Sequence, residues 1–292
     1  MHRSQAPWTV PAPILVVSGI FSLQIGAAIA RQHFGTVGPL GATLLRLLIS
    51  AALLAVLLRP RPWTWPREKW VPVIVLGVAL GGMNQLIYLA IDRIPVGVAV
   101  TVEYLGPLIL SLLHVRRLRE SIWSLCALGG VVLLGMQAVT SLDLLGVAFA
   151  AIGGGCWVAY ILAGARLGRG PADASSLAVS MAIGSLLAVP LGFHGATKAL
   201  DQPRLLAIFT LVAILSSVVP YLIELWALRT MPARVFSVIQ SFGPAAGALA
   251  GLVMLGQRLV WQEVAALLLV TIASVGVTVT ARRPPLVTEG PA

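Results

Sequence analysis

Two acidic side chains stand where an acid is expensive. Glu103 interrupts the apolar run VGVAVTVEYLGPLIL and Glu224 interrupts VPYLIELWAL. If those runs cross a membrane, each carboxyl costs roughly 2.5–3.5 kcal/mol at the bilayer centre. Such a group faces a cavity or a partner. At that depth it can also exchange a proton as its surroundings change between dry and wet. A neutral Glu103 hydrogen-bonded between helices is the structural alternative.

Pro107 follows Glu103 by four residues, and Pro244 follows Gln240 by the same interval. Proline has no N–H, so inside a helix it frees the carbonyl four residues earlier. Each site then offers a polar side chain and a freed carbonyl, which suit an ammonium or a hydroxyl. Two ordinary proline kinks are the plainer reading.

Other polar residues fall inside apolar runs. Tyr221 lies three residues before Glu224, on one helix face, and Pro220 precedes both. Glu224 could equally make a structural hydrogen bond, or an ion pair with Arg229. Arg46 can snorkel, pair with a glutamate or bind a carboxylate. Asn84 and Tyr88 are one helical turn apart, Trp157 and Tyr160 share a face, and Gln24 sits mid-run. Together they could line a cavity for a small polar solute; singly, each reads as a contact between helices.

The elements that must position these groups are membrane-spanning helices. The chain has 292 residues, 58% hydrophobic and 10% charged, against about 25% charged in a soluble domain. A span needs about 20 apolar residues, and ten such segments can be marked at 12–30, 38–58, 70–90, 94–113, 121–139, 144–165, 174–193, 204–227, 233–255 and 260–281. Backbone polar groups must be paired in lipid, so each is read as a helix. Glu103 then lies about 15 Å from either end of its segment, at 1.5 Å per residue. Residues 284–292 read as a disordered tail. The pattern Ala28-Ile29-Ala30 resembles a leader cleavage site, but cleavage there would remove the first helix of a repeat.

That repeat relates residue n to residue n + 137. Pro95 falls on Pro232, Gly106 on Gly243, Pro107 on Pro244 and Glu103 on Gln240. Five helices per half is an odd number, so the second half inserts upside down. The expected fold is an all-α polytopic membrane protein with ten transmembrane helices in two inverted five-helix repeats, over residues 1–140 and 141–283. Such folds hold their substrate near the midplane, between the halves. Gly77, Gly81, Gly153 and Gly154 suit close helix contact.

The formal net charge is +10, yet nucleic acid is not implied. Fourteen basic residues fall on one side of the ten segments and five on the other, with Arg46 inside a segment. The richer side holds Arg3, the run Arg59, Arg61, Arg67 and Lys69, the cluster Arg116, Arg117 and Arg119, then Arg166, Arg169, Arg229, Arg234, Arg282 and Arg283. Cytoplasmic loops carry such an excess, so both termini are expected in the cytoplasm. Trp63, Trp65 and Trp70 flank one basic loop as interfacial aromatics do. Cys126 and Cys156 lie in apolar runs and form no CxxC pair, which reads as packing. The sequence has no GxxxxGK[ST], HExxH or GxSxG, so the familiar ATPases and membrane hydrolases are disfavoured and no enzyme, cofactor or metal is expected.

The stretch GGMNQLIYLAIDRIPVGVAVTVEYLGPL, residues 81–108, resembles the EamA-type branch of the drug/metabolite transporter superfamily. The segments SLQIGAAIA (22–30), GGGCWVAYILAG (153–164) and VPYLIELWAL (219–228) extend the likeness over nearly the whole chain. It is strongest to the bacterial members that export threonine and homoserine. The resemblance implies a multi-pass exporter in a bacterial-type cytoplasmic membrane, with a central cavity and a drive from the proton gradient. Glu103 and Glu224 match acidic positions there, and Asn84, Tyr88, Trp157 and Tyr160 match polar and aromatic ones. Two positions depart: Gly243 replaces a glutamate before the proline, and Gly256-Gln257 replaces Gly-Glu.

The expected function is secondary active export of small neutral amino acids, threonine-like or homoserine-like, coupled to protons. Glu103 would bind the ammonium or exchange the proton, and Arg46 would meet the carboxylate. The expected partners are that solute, protons and lipid, with no oligomeric state implied. A broader metabolite or drug exporter, or an importer, is the alternative within the superfamily. A non-transporting membrane enzyme or assembly partner is the alternative from another class.

Overall fold

The computed structural model describes residues 11–112, 143–167, 174–230 and 239–280, with seven positions between 122 and 133. The fifth predicted segment lies largely outside them. So do the tail, Arg3, the Arg116–Arg119 cluster, Arg169, Arg234, Arg282 and Arg283, and the side chains of Arg166 and Arg229. Among the described residues the protein is all-helical, without a strand.

The first four segments form α1 (Ala12–Gln32), α2 (Phe34–Leu58), α3 (Arg67–Arg93) and α4 (Val96–Leu112). The sixth and seventh form α5 (Leu144–Leu167) and α6 (Ala174–Leu200). The eighth is one rod in three parts: α7 (Pro203–Ala213), a π-helical turn (Ile214–Val218) and α8 (Val219–Thr230). Then come α9 (Gly243–Leu255) and α10 (Trp261–Thr280). Among the described residues six helices are long and apolar enough to cross a membrane, counting the α7 rod as one. With them the chain is a multi-pass membrane protein.

Among the boundaries that differ from the sequence reading, two lie at a glycine–proline pair. α2 runs back to Phe34 but breaks at Gly38, whose φ of 70° belongs to the left-handed region, and helix resumes at Pro39. The ninth segment is not one described helix from 233. Ile239 and Gln240 are helical, a turn follows at Ser241 and Phe242, and α9 begins at Gly243 with Pro244 in its first turn. Proline suits a first turn because its missing N–H is unpaired there anyway. The 13 residues of α9 measure only about 20 Å.

Small residues bring the helices together. A Cβ on Gly41 would lie 2.7 Å from the carbonyl carbon of Gly195, and one on Gly192 would lie 2.8 Å from Leu44 Cβ. These approaches run in opposite chain directions, so α2 and α6 are antiparallel. A Cβ on Gly77 would meet Ser180 O at 2.8 Å, and one on Gly81 would meet Gly184 Cα at 2.8 Å, so α3 and α6 are parallel. Gly97 abuts Ala248 and Gly247 faces Val100, with the Cβ-to-neighbour approaches at 2.7 and 3.3 Å. α4 and α9 are therefore antiparallel. α5 packs on α3 and α4, while α1 packs on α8 and α9. In lipid no hydrophobic drive joins helices, so close backbone packing carries the association. Ile14, Val56, Leu57, Leu186, Leu191 and Val253 stay exposed on the outside of the bundle.

A belt of polar contacts ties one end of the bundle. Arg31 pairs with Asp92 at 3.5 Å and donates to the carbonyls of Ile91 and Asp92 at the end of α3. Arg93 pairs with Asp143 at 2.7 Å. Asp143 also accepts from Leu145 N at 2.8 Å, capping α5. Gln32 donates to Met254 O at 2.9 Å. Gln257 accepts from Val96 N at 3.1 Å, at the start of α4.

Candidate functional site

A cavity of about 140 Å³ lies between the helices. One water needs ~10–15 Å³ on that measure, so the space suits a solute of amino-acid size. All ten polar and aromatic residues singled out from the sequence line it: Gln24 from α1, Arg46 from α2, Asn84 and Tyr88 from α3, Glu103 from α4, Trp157 and Tyr160 from α5, Tyr221 and Glu224 from α8, and Gln240 just before α9. Val16, Ile20, Val100 and Ile223 supply apolar wall. Pro107 and Pro244 do not line it; they shape the backbone behind it.

Arg46 is 4% exposed and has no acidic partner within ion-pair distance among the described residues. Its place follows from Pro220. Without an N–H, Pro220 cannot donate to the carbonyls four and five residues earlier, those of Ser216 and Leu215. Arg46 Nη2 donates to Ser216 O at 3.1 Å, and Ser22 Oγ donates to Leu215 O at 2.8 Å. Arg46 Nε donates to Ser217 Oγ at 3.0 Å. The π turn thus presents oxygens that the α2 guanidinium and an α1 hydroxyl fill. The guanidinium also lies 5.2 Å from the centre of the Tyr88 ring. Two of its five N–H groups are used in these bonds, and the rest of the head borders the cavity. Neither snorkelling nor pairing with a glutamate describes this arginine.

Glu103 is 8% exposed. Its Oε1 has no hydrogen-bond partner, and neither has the hydroxyl of Tyr88. A buried unpaired polar atom costs roughly 1–3 kcal/mol. Two such atoms border this cavity; the only other one among the described residues is Thr271 Oγ1. The carbonyl freed by Pro107 lies against α5: a Cβ on Gly154 would come within 2.6 Å of Glu103 O. That carbonyl therefore explains the glycine rather than adding an acceptor to the cavity.

Asn84 Nδ2 donates to Leu80 O at 2.8 Å. Gln24 Nε2 reaches Gly243 O at 3.5 Å. The sequence reading missed Tyr104, which lines the cavity and stands edge-to-face with Trp157, centroids 4.6 Å apart. It is the neighbour of Glu103, and adjacent helical residues point about 100° apart. No spacing rule placed both on one cavity.

The two departing positions have structural occupants. Gly243 lies under the Tyr104 ring, where a Cβ would stand 2.9 Å from Cε2 and closer still to the hydroxyl end. Gln257 serves the first turn of α4, as above.

The profile of the EamA-like transporter family matches the chain twice, over residues 10–141 and 144–279. The threonine/homoserine exporter RhtA of Salmonella typhimurium (strain SL1344) is 37% identical over 287 residues, covering 97% of this chain and 96% of that protein. RhtA of Escherichia coli (strain K12) is 37% identical over 291 residues, covering 98% and 97%. One solved crystal structure superposes with a TM-score of 0.52 at 22% identity, covering 93% of this chain and 99% of the other. That likeness concerns the fold alone.

Proposed function

The chain belongs to the EamA-like transporter family, and we propose that it exports small neutral amino acids of the threonine and homoserine kind. The observation that carries this reading is the cavity, where the buried Arg46 guanidinium, the buried Glu103 and the half-buried Glu224 meet without an ion pair between them. An α-amino acid carries a carboxylate and an ammonium. Arg46 suits the first by a charge-assisted, forked contact. Glu103, with Glu224, suits the second. The hydroxyl of Tyr88 and the amide of Asn84 are within the same wall for a side-chain hydroxyl. The names of the similar exporters point to the same solutes.

Transport would proceed by proton-coupled alternating access, with Glu103 losing its proton when the ammonium arrives. Burial supports this, because a carboxyl in a dry wall favours whichever state is neutralised, by proton or by cation. The frame would be ten helices in two inverted repeats. Four observations support it. The family profile matches each half. The offset of 137 carries α3 onto the α7–α8 rod and α2 onto α6. The pairings survive the exchange: α3 with α5 becomes the rod with α1, and α4 with α5 becomes α9 with α1. The equivalent pairs α2 and α6, and α4 and α9, run antiparallel, as inversion requires. The cytoplasmic membrane, with both termini inside, follows from the loop charges.

The test is reconstitution into proteoliposomes and counterflow of labelled threonine and homoserine, with and without an imposed pH gradient. Gradient-dependent flux that Glu103→Gln abolishes is the expected result. Folded protein that moves neither solute would shift the substrate to another metabolite class. Flux from Glu103→Gln that stays proton-driven would remove Glu103 from the coupling.

A further inference from the structure

Tyr104 is clamped from two sides. Its ring stands at 84° to the Trp157 ring, centroids 4.6 Å apart, which holds it against α5. Its other edge lies over Gly243, where a Cβ would come 2.9 Å from Cε2. Gly243 is not needed for a left-handed backbone: among the described residues only Gly38 and Gly256 are glycines with positive φ. It opens α9 directly before Pro244, where the proline ring already crowds a Cβ in the helical conformation. The Tyr104 phenol is the nearest side chain that a Cβ there would meet. A tyrosine ring moves only by rotation about χ1 and χ2, and in well-packed surroundings those rotamers are few. With Trp157 on one side and the α9 backbone on another, a Cβ at 243 drives the ring toward the cavity that it lines.

We propose that Tyr104 and Gly243 together set the largest solute side chain that the central cavity admits. The phenol is the adjustable wall, and the bare glycine holds that wall back. The proposal rests on reading the cavity as an amino-acid site. It adds a size rule to the polar contacts, because Arg46 and Glu103 address the groups that every α-amino acid shares. Shortening Tyr104 opens the wall to larger apolar side chains. Filling position 243 closes it.

The experiment uses four full-length proteins in proteoliposomes: wild type, Tyr104→Ala, Gly243→Ala and the double variant. Counterflow is measured for alanine, threonine, leucine and phenylalanine. Tyr104→Ala should raise leucine and phenylalanine flux relative to threonine by roughly tenfold or more, as pocket size does in other sites. Gly243→Ala should lower threonine flux by about tenfold, the scale of an overpacked site, while alanine suffers least. The double variant should resemble Tyr104→Ala, because the clashing ring is gone. Melting temperatures of the same four proteins should show the same coupling without any solute: a drop for Gly243→Ala that Tyr104→Ala cancels. Should Tyr104→Ala not fold, Tyr104→Leu takes its place. A transporting wild type whose size profile is unchanged in the Tyr104 variant overturns this proposal alone. So does a Gly243→Ala defect that is just as large in the double variant. A folded wild type that moves none of the four solutes overturns the amino-acid reading and this proposal with it.

Discussion

The cavity and the polar belt at the bundle end hold the same residue types in opposite ways. In the belt, Arg93 meets Asp143 at 2.7 Å and Arg31 meets Asp92 at 3.5 Å, with all four side chains about a third exposed or more. In the cavity, Arg46 is buried yet rests on neutral oxygens, and Glu103 is buried with an unpaired oxygen. Exposed pairs cost little to form and return roughly 0.2–1 kcal/mol. Buried, incompletely paired groups cost several times more. A fold that needed only stability would have neutralised Arg46 with Glu103. On the proposed reading, keeping them apart leaves each available to a group that arrives from outside.

Substitutions at four positions test that contrast, from the largest expected effect downward. Glu103→Gln removes the charge and nearly keeps the shape. Flux should fall roughly 100-fold, the weight of a lost charge-assisted contact of about 2–3 kcal/mol. The melting temperature should hold or rise, since a buried carboxyl is relieved. A lowered melting temperature with normal flux would make Glu103 structural and dissolve the contrast.

Arg46→Ala should raise the half-saturating threonine concentration and also destabilise the protein by about 1–3 kcal/mol, because Ser216 O loses its donor. Arg46→Lys should recover the stability in part but not the affinity, since an ammonium cannot reproduce the fork. Equal recovery of both would reduce Arg46 to a helix fastener. Thermal melts and concentration-dependent counterflow separate the two outcomes.

Gln257→Ala takes the acceptor from Val96 N. A lost cap typically costs about 1 kcal/mol, so a modest fall in melting temperature is expected, with the solute preference unchanged. Gln257→Glu keeps an acceptor and should melt near the wild type. A changed solute preference in either would move this end of the bundle into the substrate path.

The smallest effect belongs to Asp143→Asn. The hydrogen bond from Arg93 first, then the one from Leu145 N, hold the Asp143 carboxyl below the usual carboxylate range. A lowered folded pKa adds stability above the ordinary carboxylate pKa and loses it as pH falls through the folded value. Wild type should therefore melt slightly higher than Asp143→Asn at neutral pH, and the difference should vanish once acid protonates Asp143. A difference that persists in acid would assign the effect to the α5 cap rather than to the charge.

Much of the site was legible before any coordinates. Acids, an arginine and amides inside apolar runs are conspicuous because lipid makes them costly, and the six singled out converge with four aromatics on one cavity. Tyr104 escaped notice because an aromatic in an apolar helix is ordinary, and adjacent helical residues are not expected to share a face. The role of Pro220 was half legible: a kink could be expected, but not the π turn that hands two carbonyls to Ser22 and Arg46. The ninth segment was misjudged because apolarity continues through Ser241 and Phe242, while the chain turns there ahead of Pro244.

By itself the sequence determined that this chain is helical and lives in lipid, since 58% hydrophobic residues in long runs leave no other way to pair the backbone. It also determined which side chains were too costly to be idle. Only the tertiary structure decided how those side chains face one another: that Arg46 is held by serine oxygens rather than by a glutamate, that the carbonyl freed by Pro107 is spent against Gly154, and that Gly243 makes room for Tyr104. Depth in a membrane is a one-dimensional property that composition records along the chain. Which helix lies beside which, and at what distance, depends on close contacts between residues more than a hundred positions apart, and no local pattern encodes them.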